Sequence, residues 1–215
     1  MTPCQINVVM ELILPILLFA ISAAITPGPN NIMLMASGLN FGVQKSIPHL
    51  LGVAIGFPIM IILIGLGFEI VFVEFPLLHE IIKIAGIIYL IYLAWRVATS
   101  SRQSIEGARA IPLRFWQAVL FQWVNPKAWI MATGAIAAYT SLYADFFTQV
   151  LIIALTFMVV AFPCAGSWLV FGSSLKRFLQ KPAYQHAFNI TMALLLIASI
   201  MPVISEMMTS TAALQ

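Results

Sequence analysis

Two short polar breaks carry the residues best suited to chemistry. The first is Thr26-Pro27-Gly28-Pro29-Asn30-Asn31, and the second is Val124-Asn125-Pro126-Lys127, with Gln122 close before it. Both interrupt long apolar runs. Proline has no N–H to donate and clashes with the preceding turn, so a helix stops there and restarts. The restart leaves N–H groups unpaired at the positive end of a helix dipole, an arrangement suited to an anion such as a carboxylate. Thr26-Pro27 and Asn125-Pro126 each read as an N-cap followed by proline at the first helical position. Gly28 admits close backbone approach, and Asn30, Asn31, Gln122 and Asn125 offer side-chain donors and acceptors.

Lys127 adds a cation to the second break. A charge at membrane depth costs about 2.5–3.5 kcal/mol on insertion scales, so it calls for a partner or a function. It would bind a carboxylate, or take up and release a proton; the plainer alternative is that it snorkels to the interface. The prolines have a plain alternative too, since a lone proline in a membrane helix often makes only a kink.

The elements that must position these residues are membrane helices. The chain has 215 residues, 62% hydrophobic and 8% charged, with a mean hydropathy of +1.03, which excludes an ordinary soluble domain. Leu12–Gln44, Ser46–Phe68, Ala128–Ala144, Phe146–Leu175 and Ala187–Ser205 are free of acidic and basic residues. Each is long enough, or nearly so, to cross a bilayer core, which needs ~20 residues. Six spans are expected, at roughly 12–37, 46–68, 81–98, 115–138, 146–173 and 186–204. The first is read as a span and not a cleaved signal peptide, because residues 1–11 carry no Lys or Arg. All of residues 1–215 form one transmembrane domain, with a basic loop at 99–114.

Charge orients these spans. Lys45, Arg96, Arg102, Arg109, Arg114, Lys176, Arg177 and Lys181 all fall in or beside the odd-numbered loops. The even-numbered loops and termini carry Glu11, Glu69, Glu74, Glu80, Asp145 and Glu206, with Lys83 as the basic exception. Basic loops stay in the cytoplasm, so both termini are expected outside. The net charge of +3 follows from those loops, and nucleic-acid binding gains no support from it.

An internal repeat ties the two breaks together. A shift of 96 residues lays Met33–Gly38 over Trp129–Gly134, and Pro29-Asn30-Asn31 over Asn125-Pro126-Lys127. With three spans per half, about 12–98 and about 115–204, the copies must run in opposite directions. The expected fold is therefore an all-α polytopic membrane protein, a 3+3 inverted repeat with broken helices 1 and 4. Matched interruptions in two inverted halves point to a transporter's binding site.

The remaining side chains are quieter. Cys4 and Cys164 are isolated, with no metal-like or disulfide spacing, and no metal or cofactor is expected. Gly52 and Gly56 form a GxxxG suited to helix packing. Trp95 and Trp116 read as interfacial anchors, while Trp123 and Trp129 flank the second break and are placed to shape a pocket. His49, His79 and His186 lie near loop ends and receive no role. Glu69 and Asp145, at outer span ends, are candidate proton carriers beside Lys127, although solvated loop charge is the simpler reading of both.

At these residues the chain resembles the LysE/RhtB family of amino-acid exporters. Thr26-Pro27-Gly28-Pro29-Asn30 and Asn125-Pro126-Lys127 carry the likeness, which extends over essentially the whole chain. Ala94–Ser100 and Phe115-Trp116 look closest to the cysteine and O-acetylserine exporter branch. The resemblance implies export of amino acids or their derivatives across the bacterial inner membrane, driven by the proton-motive force. It sets both motifs around the substrate path and leaves the amino acid open among lysine, threonine, homoserine, cysteine and others. One departure stands out: no Asp or Glu falls at mid-membrane to carry the proton. The expected partners are thus an amino acid, protons and lipid, with a homo-oligomer left open. A passive channel or a membrane scaffold is the alternative. An intramembrane enzyme lacks any HExxH, GxSxG or paired acidic motif.

Overall fold

The structure is a computed structural model, describing residues 3–68, 74–100, 112–140, 145–179 and 181–212. Eight α-helices account for nearly all of them: α1 (Pro3–Ile25), α2 (Pro29–Phe41), α3 (Val43–Leu63), α4 (Pro76–Ala98), α5 (Phe115–Val124), α6 (Pro126–Tyr139), α7 (Phe146–Phe178) and α8 (Pro182–Ala212). A π-helical turn, Ile64–Phe68, extends α3 and ends in Gly67 at φ 91°. Five of these helices open on proline, as the fixed φ of that residue favours.

Among the described residues, three helices are long and apolar enough to cross a membrane: Val43–Gly67, Phe146–Lys176 and Pro182–Met201. The pair Ile13–Ile25 and Pro29–Phe41, bent by 55°, would make a fourth span. Ile84–Ala98 is a shorter apolar helix, and α5 and α6 measure 10 and 14 residues separately. The protein is thus all-helical and membrane-embedded, with bilayer-length helices. Its helices overrun the expected limits at several ends, because hydrogen bonding continues through residues that hydropathy alone assigns to loops.

Two large apolar cores, with a smaller third cluster around Leu34, Val53 and Leu169, fill the bundle. One joins α1, α3, α6 and α7 around Ile16, Phe57, Met60 and Phe157, with the Phe57 and Phe157 rings meeting edge-to-face at 5.1 Å. The other joins α2, α4, α5 and α8 around Leu90, Phe121 and Leu196. Outside these cores, Leu18, Trp95, Ile130 and Phe171 remain exposed. Helices apolar on both faces suit lipid, not water.

Small residues set the closest crossings. A side chain at Gly52 would meet the Phe115 carbonyl oxygen, and one at Gly56 would lie 2.8 Å from Val119 Cα. The GxxxG therefore packs α3 on α5, as its spacing predicts. On the other flank, Gly38 of α2 abuts the Leu169 carbonyl and Gly172 of α7 abuts the Met35 carbonyl.

Polar hydrogen bonds gather one end of the bundle. Asn189 near the start of α8 donates to the Ser100 carbonyl at 2.7 Å, and Gln185 donates to Asn40 near the end of α2 at 3.2 Å. The connections after α2, α4 and α7 therefore meet at this end, which also carries Lys45, Arg96, Lys176 and Lys181.

Candidate substrate site at the paired helix breaks

The first break starts two residues later than Thr26-Pro27 suggests. Helix α2 begins at Pro29, with Gly28 as N-cap in extended backbone (φ −174°) and no side-chain cap. Thr26 closes α1 instead, its hydroxyl donating back to the Ala23 carbonyl at 2.8 Å. Two prolines in three residues explain the correction. Pro29 disfavours helical backbone at Gly28, so the helix cannot restart at Pro27. The second break follows the expected form. Asn125 is the N-cap, its side chain accepting from the Lys127 N–H at 3.2 Å, and Pro126 takes the first helical position.

Breaking α1 frees carbonyls that lipid cannot satisfy, and each has a protein partner. Ala24 O accepts from the Asn31 amide at 2.7 Å. Ile25 O accepts from the Trp168 indole at 3.0 Å. Thr26 O accepts from Asn31 at 2.8 Å and from the Lys127 ammonium at 2.9 Å. Lys127 also donates to the Thr26 hydroxyl at 2.7 Å. It is half-buried, and it reaches across to the opposite break and not out to an interface.

A second tie joins the halves. Asn30 donates to Gln122 Oε1 at 2.8 Å, and Gln122 returns a bond to Asn30 Oδ1 at 3.3 Å. Gln122 is fully buried and also donates to the Ala118 carbonyl at 2.8 Å. Across the second break, Trp129 donates to the Trp123 carbonyl at 2.9 Å, and their rings meet at 5.8 Å. These two tryptophans pin the α5–α6 kink.

The breaks share one cavity of about 50 Å³. Gly28, Asn30, Asn31, Asn125 and Lys127 line it; Thr26, Pro27, Pro29 and Pro126 lie within two residues of these in the chain, and Gln122 is hydrogen-bonded to Asn30. Phe57 of α3 with Phe157, Ala161 and Ala165 of α7 form its apolar wall. The sequence reading missed that wall. The spacing of Ala161 and Ala165, one helical turn apart, was its only signal. Electrostatically the cavity favours an anion, with the uncapped α2 N-terminus and the Lys127 ammonium on one side. The two helix ends are unequal, because Asn125 already occupies an N–H of α6.

Two other candidates stand apart. Asp145 is exposed and caps α7, its carboxylate accepting from the Thr148 N–H at 2.7 Å. Those Thr148 hydrogen bonds hold its carboxyl below the usual range. Glu69 lies outside the described residues.

The model of the LysE type translocator family matches residues 21–200, a stretch that takes in both breaks. The chain belongs to that family. Among relatives, the cysteine/O-acetylserine efflux protein of Escherichia coli K12 is 28% identical over 83% of this chain and 90% of its own length. The one from Shigella flexneri is 29% identical over the same shares. No solved structure matches the chain. As a LysE-type translocator, the protein is a transmembrane transport protein, and the cavity at the breaks is built entirely from residues within the matched stretch.

Proposed function

We propose that this protein exports small amino acids or their derivatives, of the cysteine/O-acetylserine or threonine/homoserine kind, by proton-coupled alternating access. The observation that carries the reading is the shared cavity, where an uncapped helix N-terminus and Lys127 sit beside freed carbonyls and amides. A zwitterion needs both characters. Its carboxylate goes to the α2 N-terminus and Lys127, and its ammonium goes to the Asn side-chain oxygens. The relatives' efflux activity supports the chemical class and the direction.

The packing supports a 3+3 inverted repeat of six spans, with α1–α2 and α5–α6 as its broken members. Helices α1 and α2 lie on α7 while α5 lies on α3, so each broken span rests on the long helix of the other half. The pairs α3 with α7 and α4 with α8 are the self-matching contacts that a pseudo-two-fold axis requires. Basic residues at the end where α2, α4 and α7 terminate support a cytoplasmic location for that end in a bacterial inner membrane, with both termini outside.

The test is efflux from proteoliposomes loaded with cysteine, O-acetylserine, threonine, homoserine or lysine, with and without an inward proton gradient. Efflux of one or a few of these should accelerate with the gradient. Gradient-insensitive flux would favour a channel, and absence of flux would favour a scaffold.

A further inference from the structure

A second cavity of about 50 Å³ lies at the other end of α2. That is above the ~10–15 Å³ one water needs. Ser37 and Asn40 of α2, His49 of α3, Arg96 of α4 and Ser100 just after it line it. His49 is wholly buried there. Its Nδ1 is 3.1 Å from the Ser37 hydroxyl, while Nε2 has no hydrogen-bond partner among the described residues. One helical turn earlier the Ser46 hydroxyl is likewise buried and unpartnered. A buried polar group left unpaired costs about 1–3 kcal/mol. Leucine would fill such a position in an apolar helix without that cost, so the imidazole calls for a function.

We infer that His49 binds the transported proton, an assignment that rests on the proposed proton-coupled export. Imidazole is the side chain whose ordinary proton affinity falls between pH 5 and 8. No Asp or Glu is among the buried polar residues described. Around His49, α4 brings Arg96 into the same cavity. Helix α7 carries buried Cys164 and exposed Lys176, exposed Arg114 precedes α5, and α2 contributes only Ser37 and Asn40 as polar groups. Among the described residues, no acid lines this cavity. His49 itself is inaccessible to solvent here, so it exchanges a proton only through this cavity, and access that changes with conformation is what couples proton to substrate. Helix α2 links the two sites. Asn31 in the substrate cavity and Ser37 beside His49 are about 9 Å apart along it, at ~1.5 Å per residue. In the cycle a ring nitrogen takes a proton entering from outside, giving imidazolium, and returns it to cytoplasmic water.

The experiment compares wild type with His49→Asn in proteoliposomes, using radiolabelled cysteine, O-acetylserine, threonine and homoserine, with the membrane potential clamped. Asparagine keeps a polar group near Ser37 but cannot titrate. A pH step of one unit should let wild type hold up to about a tenfold concentration ratio per coupled proton. His49→Asn should collapse that ratio toward one while exchanging substrate across equal pH at the wild-type rate. A variant that holds the wild-type ratio overturns the inference, as does one that is inserted correctly yet fails in exchange. A wild type indifferent to pH would sink the coupled-export reading itself, and His49 with it. Should the Asn variant not be recovered from membranes, Ser37→Ala provides the second arm. Loss of the Nδ1 partner should move the pH midpoint of driven flux, and an unmoved midpoint overturns the assignment.

Discussion

The Lys127 ammonium donates to both the hydroxyl and the carbonyl oxygen of Thr26, joining the chain at points 101 residues apart. This contact ties the start of one half-helix to the end of another. It also answers what a cation is doing at membrane depth. A neutral carbonyl is a weaker partner than a carboxylate, so Lys127 keeps attraction to spare for an incoming anion. On the proposed reading, that charge is kept for binding.

The reciprocal bonds between Asn30 and Gln122 are expected to couple the halves energetically. A double-mutant cycle of Asn30→Ala and Gln122→Ala, read by unfolding in bicelles, should give about 0.6 kcal/mol and at most ~1.7 kcal/mol of coupling, the range for polar pairs in membranes. Strict additivity would mean that the pair contributes nothing.

Gly28→Ala is expected to act through lysine alone. The backbone at Gly28 is extended, so alanine suffers no strain, but its Cβ would lie 2.7 Å from Lys127 Cδ. The flexible side chain moves aside and the fold survives. Transport should fall by roughly tenfold or more, matching the ~1.5–3 kcal/mol of a charged hydrogen bond. Full activity with normal expression would contradict this.

Two glycines related by the internal repeat should respond with opposite sign. A Cβ at Gly38 would meet the Leu169 carbonyl and lie 2.9 Å from the Ser173 nitrogen, whereas Gly134 has nothing within 4 Å. Gly38→Ala must part α2 from α7, costing about 1–3 kcal/mol as overpacking does. Gly134→Ala should gain about 0.5–1 kcal/mol from helix entropy. Thermal denaturation in detergent should therefore fall for the first variant and rise for the second.

Asp145 is expected to matter for stability against acid, not for the pH profile of transport. Its carboxyl is held below the ordinary range by Thr148, so the cap's contribution is complete above the ordinary carboxylate value and fades as pH drops through the lowered one. Asp145→Asn should leave transport between pH 5 and 8 unchanged while flattening the acid limb of a stability curve. A shifted transport profile would restore Asp145 as a proton carrier.

Much of the site was legible because proline and glycine act locally. Pro29 and Pro126 mark helix restarts whatever surrounds them, and Lys127 announces itself by charge in an apolar run. Two things were not legible. The offset from Thr26 to Gly28 as N-cap depends on two prolines acting together, where each alone suggests a different start. The partner of Lys127 is a carbonyl freed by the break, and backbone groups leave no mark in a side-chain pattern. His49 was passed over for a related reason. Alone it looks like a loop-end histidine, and only packing against Ser37 of another helix shows it buried. The network of Asn40, Gln185 and Asn189 did have a signal, since Asn40 and Asn189 interrupt apolar runs.

The most direct test of the central claim is gradient-driven efflux by Lys127→Ala beside wild type, in proteoliposomes with matched insertion. Loss of the ammonium should lower efflux of the exported amino acid by at least about tenfold, in line with ~1.5–3 kcal/mol for a charged hydrogen bond, with the protein still folded. Undiminished efflux from the alanine variant would contradict the account, because the cavity between the two breaks would then not be where the carboxylate binds.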